Sequence, residues 1–218
     1  FYKRWKDVHK LPSSISNLHE LREFPVLTKR DVQEHKQLIL LSTNNKGTIS
    51  TGGSTGEPAI FPKDSYASLA NSTTYANMYT GRGWWNVSPL DPIFMIWGHS
   101  HLFGQGVKGW IKQQERRMAD WATNTHRFSA YDMRPDTIGA CAERFFQARP
   151  TAVLGYTSSV VRLATHLKKE QASHRIDWPL RAVIVTAETI DESDAVTIRH
   201  AFGAPVVIEY GLIEAGVV

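Results

Sequence analysis

Between residues 151 and 208 the chain alternates short apolar runs with amphipathic stretches, and this rhythm constrains its fold more than any other feature. Residues 151–154, 181–185 and 205–208 read as strands. Residues 158–169, with Val160, Ala164 and Leu167 on one face, and residues 192–202 read as helices. Such alternation predicts an α/β fold, a largely parallel sheet with flanking helices joined by right-handed crossovers. Upstream, the same reading gives a strand at 93–97, a helix around 112–121, a short strand at 127–131 and a helix from Asp136 to about Ala148. Nearer the start, Pro25 marks a turn, and Thr28 with Asp31 forms a capping signal for a helix through Leu41. A polar loop, STNNKGTISTGGSTGEP, follows and stops at Pro58; residues 65–79 read as a helix, and regular structure pauses at Gly81, Gly83, Trp84 and Trp85.

Composition narrows the function. Hydrophobic residues at 42% and charged residues at 21% describe a globular chain. No run approaches the roughly 18 continuous apolar residues of a membrane span. The 25 basic and 21 acidic residues alternate in sign, so a net charge of +4 does not call for nucleic acid. A single cysteine, Cys141, excludes a disulfide framework or a thiolate metal cluster within the chain and fits a reducing compartment. The opening FYKRWKDVHKLP lacks both a methionine and the apolar core of a signal peptide, so the N-terminus reads as trimmed and the expected location is cytoplasmic. No internal repeat appears.

Parallel sheets bind ligands beyond the carboxyl ends of their strands. Here those ends carry Gly98, His99 and Ser100; Gly155, Tyr156 and Thr157; Ala187 and Glu188; and Glu209, Tyr210, Gly211 and Glu214. Rings, a histidine and up to three carboxylates on one edge suit a nucleotide-sized pocket with a metal-binding carboxylate. The loop Thr51-Gly52-Gly53-Ser54-Thr55-Gly56-Glu57-Pro58 could wrap phosphates with backbone amides and hydroxyls, or be a flexible surface linker. It is not a Walker A loop, since Glu57 stands where a lysine is wanted, which also disfavours a phosphotransferase. His99 reads as a base, a pocket wall or a satisfied structural histidine. Nine histidines without an HExxH pattern give zinc little support, leaving magnesium. No GxSxG elbow is present, and Trp84 and Trp85 read as core or interface anchors.

Together, STGGSTGEP and Glu209-Tyr210-Gly211-Leu212-Ile213-Glu214 resemble two signature motifs of the adenylate-forming enzymes, the acyl and aryl coenzyme A ligase superfamily. Within it the chain looks most like the phenylacetate-coenzyme A ligase branch, on FPVLTKRDV, RPTAVLGYTSSVVRLATHL, RAVIVTAETI and AFGAPVVIEYGLIEAG in that order. The resemblance implies that residues 1–218 are part of an N-terminal, ATP- and acyl-binding domain, without the C-terminal domain that carries the catalytic lysine. It implies ATP, magnesium and coenzyme A as cofactors, and a small carboxylic acid as the partner molecule. Thr51, Gly52, Gly53, Ser54, Thr55 and Gly56 would grip the β and γ phosphates; Tyr210 would pack on adenine, with Gly211 allowing close approach. Glu188 would line the adenine pocket, and Glu214 would be the catalytic, magnesium-holding glutamate. Trp84, Trp85, His99, Phe103, Gly104 and Tyr156 fall where this branch builds its acyl pocket.

The sequence departs from the pattern at Glu57, where a lysine is common, and at Ile213, where a threonine is usual. It ends at Val218, before the ribose-binding aspartate, the hinge and the C-terminal lysine. Strand edges left bare by that ending lead to an expectation of self-association or pairing with the missing half. The competing reading is a non-catalytic nucleotide- or acyl-binding module on the same fold.

Overall fold

The computed structural model describes residues 2–12, 14, 16–26, 28–35, 37–38, 48–50, 60–62, 82–98, 107–170, 175–212 and 216–217. The chain divides into one unit of Phe1–Thr73 with Leu212–Gly216 and a second of Thr74–Gly211 with Val217–Val218.

In the first unit, α1 (Tyr2–Val8) precedes α2 (Lys29–Glu34). The capping signal forms as expected: the Thr28 hydroxyl accepts the Asp31 N–H at 3.2 Å, and the Asp31 carboxylate accepts the Thr28 N–H at 2.8 Å. Hydrogen bonds from the Thr28 hydroxyl and backbone hold the Asp31 carboxyl below its ordinary range. This segment closes at Glu34, where the His35 ring lies 2.9 Å from the Asp31 carbonyl; residues 37 and 38 are helical again, and the rest of the expected helix, to Leu41, lies outside the described residues. The polar loop is also interrupted. Its Thr48–Ser50 stretch forms β1, antiparallel to β2 (Ile60–Pro62); the glycine-rich residues between them lie outside the described residues. The expected helix at 65–79 lies outside the described residues.

The second unit holds β3 (Ile93–Trp97), α3 (Val107–Ala122), β4 (Thr125–Ser129), α4 (Ile138–Ala148), β5 (Ala152–Tyr156), α5 (Thr157–Lys169), β6 (Ala182–Thr186), α6 (Glu192–Phe202) and β7 (Val206–Glu209). Its five strands lie in the order β4-β3-β5-β6-β7, all parallel. The α/β architecture read from the sequence is therefore the one observed. Several strands run one or two residues past their expected ends, since the ladder holds polar partners too, as in Tyr156↔Thr186 and Thr186↔Glu209. The strand expected at 127–131 sits at Thr125–Ser129, where the Ser129 hydroxyl accepts the Tyr131 N–H and starts a short turn of helix instead.

Helices α4, α5 and α6 cover one face of the sheet, burying Phe145, Leu163 and Ile198 against Phe94, Ile96, Val153 and Val185. α3 belongs to the other face: its Asp120 holds Arg127, whose guanidinium reaches the Met95 sulfur at 2.6 Å, and Met95 packs with Ile93, Leu154 and Ile184. Gly155 is crowded from the side that α4, α5 and α6 cover. A Cβ there would meet the Ile96 carbonyl oxygen and a Val160 methyl, each at 3.0 Å. Gly155→Ala is expected to lose about 1–3 kcal/mol, an overpacking cost measurable by urea unfolding.

Cys141 is buried in the same core, and burial pushes its thiol from the ordinary 9.0 up to about 12, against a small opposing pull from Arg144. The native chain is expected to be inert to thiol reagents at pH 8 and to react once unfolded. The sign of the pH effect follows. Between pH 9 and about 12 the unfolded thiol ionises while the folded one does not, so stability falls across that window and is untouched below it.

Candidate functional site

The strand order fixes where a ligand can enter. From β3 the chain crosses by α3 to β4 at one edge, whereas from β5 it crosses by α5 toward β6 on the opposite side. The connections leave β3 and β5 over different faces, and the crevice between the carboxyl ends of these neighbours is the topological switch point. Trp97 ends β3 and Tyr156 ends β5; their rings lie 4.6 Å apart, tilted by 33°. Gly98 is buried beneath Tyr131, whose ring would stand 2.7 Å from any Cβ at that position. Burial and the nearby Tyr131 raise the Tyr156 hydroxyl above its ordinary value, against a hydrogen bond from the Gly98 backbone. An aromatic wall on a glycine floor can hold an apolar group of a ligand.

The next ends along the edge belong to β6 and β7. Ala187 takes a left-handed conformation, φ 67°, directly after β6, which turns Glu188 back over α5. The Glu188 carboxylate accepts the Ser158 N–H at 2.7 Å and the Ser158 hydroxyl at 3.1 Å, and its carbonyl accepts the Thr157 hydroxyl at 3.1 Å. It thus caps the positive end of α5. Glu209, the last residue of β7, is gripped by Arg82 through contacts of 2.9, 3.0 and 3.1 Å. The Arg82 side chain is 5% exposed and that of Glu209 14%. The next residue, Tyr210, is 60% exposed.

Of the three carboxylates expected at this edge, one therefore caps a helix and one answers a buried arginine. The third, Glu214, lies outside the described residues, as do Thr51, Gly52, Gly53, Ser54, Thr55, Gly56, His99, Phe103 and Gly104. Gly211 opens the short strand β8 (Gly211–Leu212), which pairs with β9 (Gly216–Val217). Trp84 and Trp85 are 84% and 39% exposed, so of the two readings, core or interface anchor, the core one does not hold. No group of metal-ligating side chains occurs among the described residues. With Glu188 and Glu209 engaged as they are, the described carboxylates do not fit a magnesium site.

Trp97, Tyr131 and Arg82 were not read as site residues from the sequence. Trp97 had one usable signal, a single ring closing an aliphatic strand, and Arg82 another, a lone cation among glycines and tryptophans. A cleft of about 480 Å³ runs along β4, lined by Arg116, Arg117, Trp121 and Arg144, and reaches the switch crevice at Trp97.

No family model matches the chain, and no curated protein matches it. Solved structures do. An open conformation of 2-hydroxyisobutyryl-CoA ligase, in complex with 2-HIB-AMP and CoA, superposes with a TM-score of 0.61 at 18% identity, over 98% of this chain and 45% of that one. The same ligase in the postadenylation state, with R3-HIB-AMP, gives 0.62 at 16% identity, over 99% and 44%. Its thioesterification state, with 2-HIB-AMP and CoA, gives 0.60 at 17% identity, over 97% and 44%. This chain has the fold of these CoA ligases. It spans less than half of their length. Within the ligase fold, the switch crevice and the exposed Tyr210 lie on the carboxyl edge of one sheet, and no helix among the described residues is long and apolar enough to cross a membrane.

Proposed function

We propose that this chain is the ATP- and acid-binding portion of an adenylate-forming ligase that joins an aryl or otherwise apolar carboxylic acid to coenzyme A. The observation that carries the reading is the coincidence of a CoA-ligase fold with Glu209-Tyr210-Gly211 leaving β7 at the ligand edge, Tyr210 exposed. The Trp97–Tyr156 pair favours an apolar acid, and the order of the sequence motifs favours the phenylacetate-coenzyme A ligase branch.

In this reading the substrate carboxylate attacks the α-phosphorus of ATP, forming the acyl-adenylate and expelling pyrophosphate. The coenzyme A thiol then attacks the acyl carbon, forming the thioester and releasing AMP. Amides and hydroxyls of Thr51 through Gly56 hold the outer phosphates, Tyr210 stacks on adenine, Gly211 lets the backbone approach, and Glu188 borders the base. Trp84, Trp85, His99, Phe103, Gly104 and Tyr156 enclose the acid. Glu214 would hold a magnesium ion, which would supply charge neutralisation at the phosphates. The chain's own contribution is position and fixed dipoles, which is what in-line phosphoryl chemistry requires. We further propose a cytoplasmic location and, from the edge strands β4 and β7 with Ile208 65% exposed, association with a second copy or a C-terminal half.

A second reading, a binding module without chemistry, is favoured by Glu57, by Ile213 and by the engagement of both described carboxylates. ATP–pyrophosphate exchange, run with pooled aryl and aliphatic acids on this chain and on the full product of its gene, separates the two. Acid-dependent exchange in either supports the ligase. Absence of exchange in both, with AMP still binding, leaves the module.

A further inference from the structure

Arg82 and Glu209 are 127 positions apart in the sequence, yet they form the most buried ion pair of the second unit among the described residues. A buried pair of this kind is weak evidence of stabilisation, because desolvation offsets much of the attraction. Its geometry is more telling. Both ends of the pair are anchored differently. Arg82 sits on a tight turn whose carbonyl accepts the Trp85 N–H at 3.0 Å and the Val87 N–H at 3.2 Å, and Val87 is buried against Ile93 and Leu154 on the sheet. Glu209 ends an edge strand that pairs with β6 alone among the described residues, its neighbour Ile208 facing solvent. Without Arg82, the last residue of β7 would be held by one side of a ladder. With it, a planar two-pronged grip fixes the carboxylate in direction as well as position.

We propose that Arg82 is a positioning residue for the nucleotide: by clamping Glu209 it sets where the exposed ring of Tyr210 leaves the sheet. This rests on the reading of Tyr210 as the adenine-stacking residue. The same turn carries Trp84 and Trp85, one glycine beyond Arg82, so a displacement of this turn by a bound acid would reach Tyr210 through the clamp.

The test is a double-mutant cycle of AMP binding, read by calorimetry on the full chain as it exists, with Arg82→Met, Tyr210→Ala and both together. Each single change is expected to weaken AMP about tenfold, the scale of a lost base stack. The double change is expected to lose no more than Tyr210→Ala alone, because Arg82 acts through that ring. Arg82→Lys, which keeps charge but not the two-pronged geometry, is expected to fall between wild type and Arg82→Met. If Arg82→Met does not fold, Glu209→Gln takes its place in the cycle. Additive losses, or unchanged affinity in Arg82→Met, overturn the positioning role while leaving the nucleotide site standing. Failure of the wild-type chain to bind AMP overturns the site and the positioning role together.

Discussion

Alanine at Phe145 is expected to destabilise the second unit by about 3–5 kcal/mol, the range for deleting a fully buried aromatic ring. The ring has no exposed surface, and it is the hub of the core. The rings of Phe94, Phe146, Trp178 and Phe202 lie 5.6, 5.3, 5.4 and 5.5 Å away, mostly edge to face. They come from β3, α4, the segment before β6 and α6, so one side chain ties the sheet to two helices and a loop. The Trp178 indole also donates to the Pro150 carbonyl at 2.9 Å, fixing the entry to β5. Domains of this size have about 5–15 kcal/mol in total, so the loss is a large share. Urea unfolding followed by circular dichroism should show a much lower midpoint for Phe145→Ala and a smaller drop for Phe145→Leu. A wild-type midpoint for the alanine variant would mean that the aromatic cluster is not what holds α4 on the sheet.

The largest expected functional effect is at Glu214. If it holds the metal, Glu214→Gln in the full product of the gene removes a full charge from the transition state and is expected to reduce acid-dependent pyrophosphate exchange by about 100-fold or more. The urea midpoint should be nearly unchanged, and AMP, whose proposed stacking partner is Tyr210, should still bind. Exchange at the wild-type rate in Glu214→Gln would remove Glu214 from the role assigned to it. Loss of exchange together with loss of folding would mark it as a structural residue.

The sheet was legible because its signal is periodic. The run 93–97 and the helix 192–202 were read to the residue, and Val160, Ala164 and Leu167 are buried on the face expected of them. β1 was not legible: three residues, Thr48–Ser50, sit in a polar tract and owe their strand to pairing with Ile60–Pro62. The placement of the candidate residues was legible in outline, since Tyr156, Glu188, Glu209 and Tyr210 do fall at the carboxyl ends of neighbouring strands. What each side chain does there was not. Glu188 caps α5 only because Ala187 turns left-handed, a conformation no composition announces. Glu209 answers an arginine from the far side of the sequence, and Tyr131 covers Gly98 after a strand that ends earlier than its pattern suggested.

The central claim is a place: a nucleotide bound at the carboxyl edge of the parallel sheet. A crystal structure of the chain grown with AMP tests it most directly. The account predicts the adenine against Tyr210, beyond the ends of β6 and β7. AMP seated instead in the arginine-lined cleft along β4, with the strand ends empty, would contradict it.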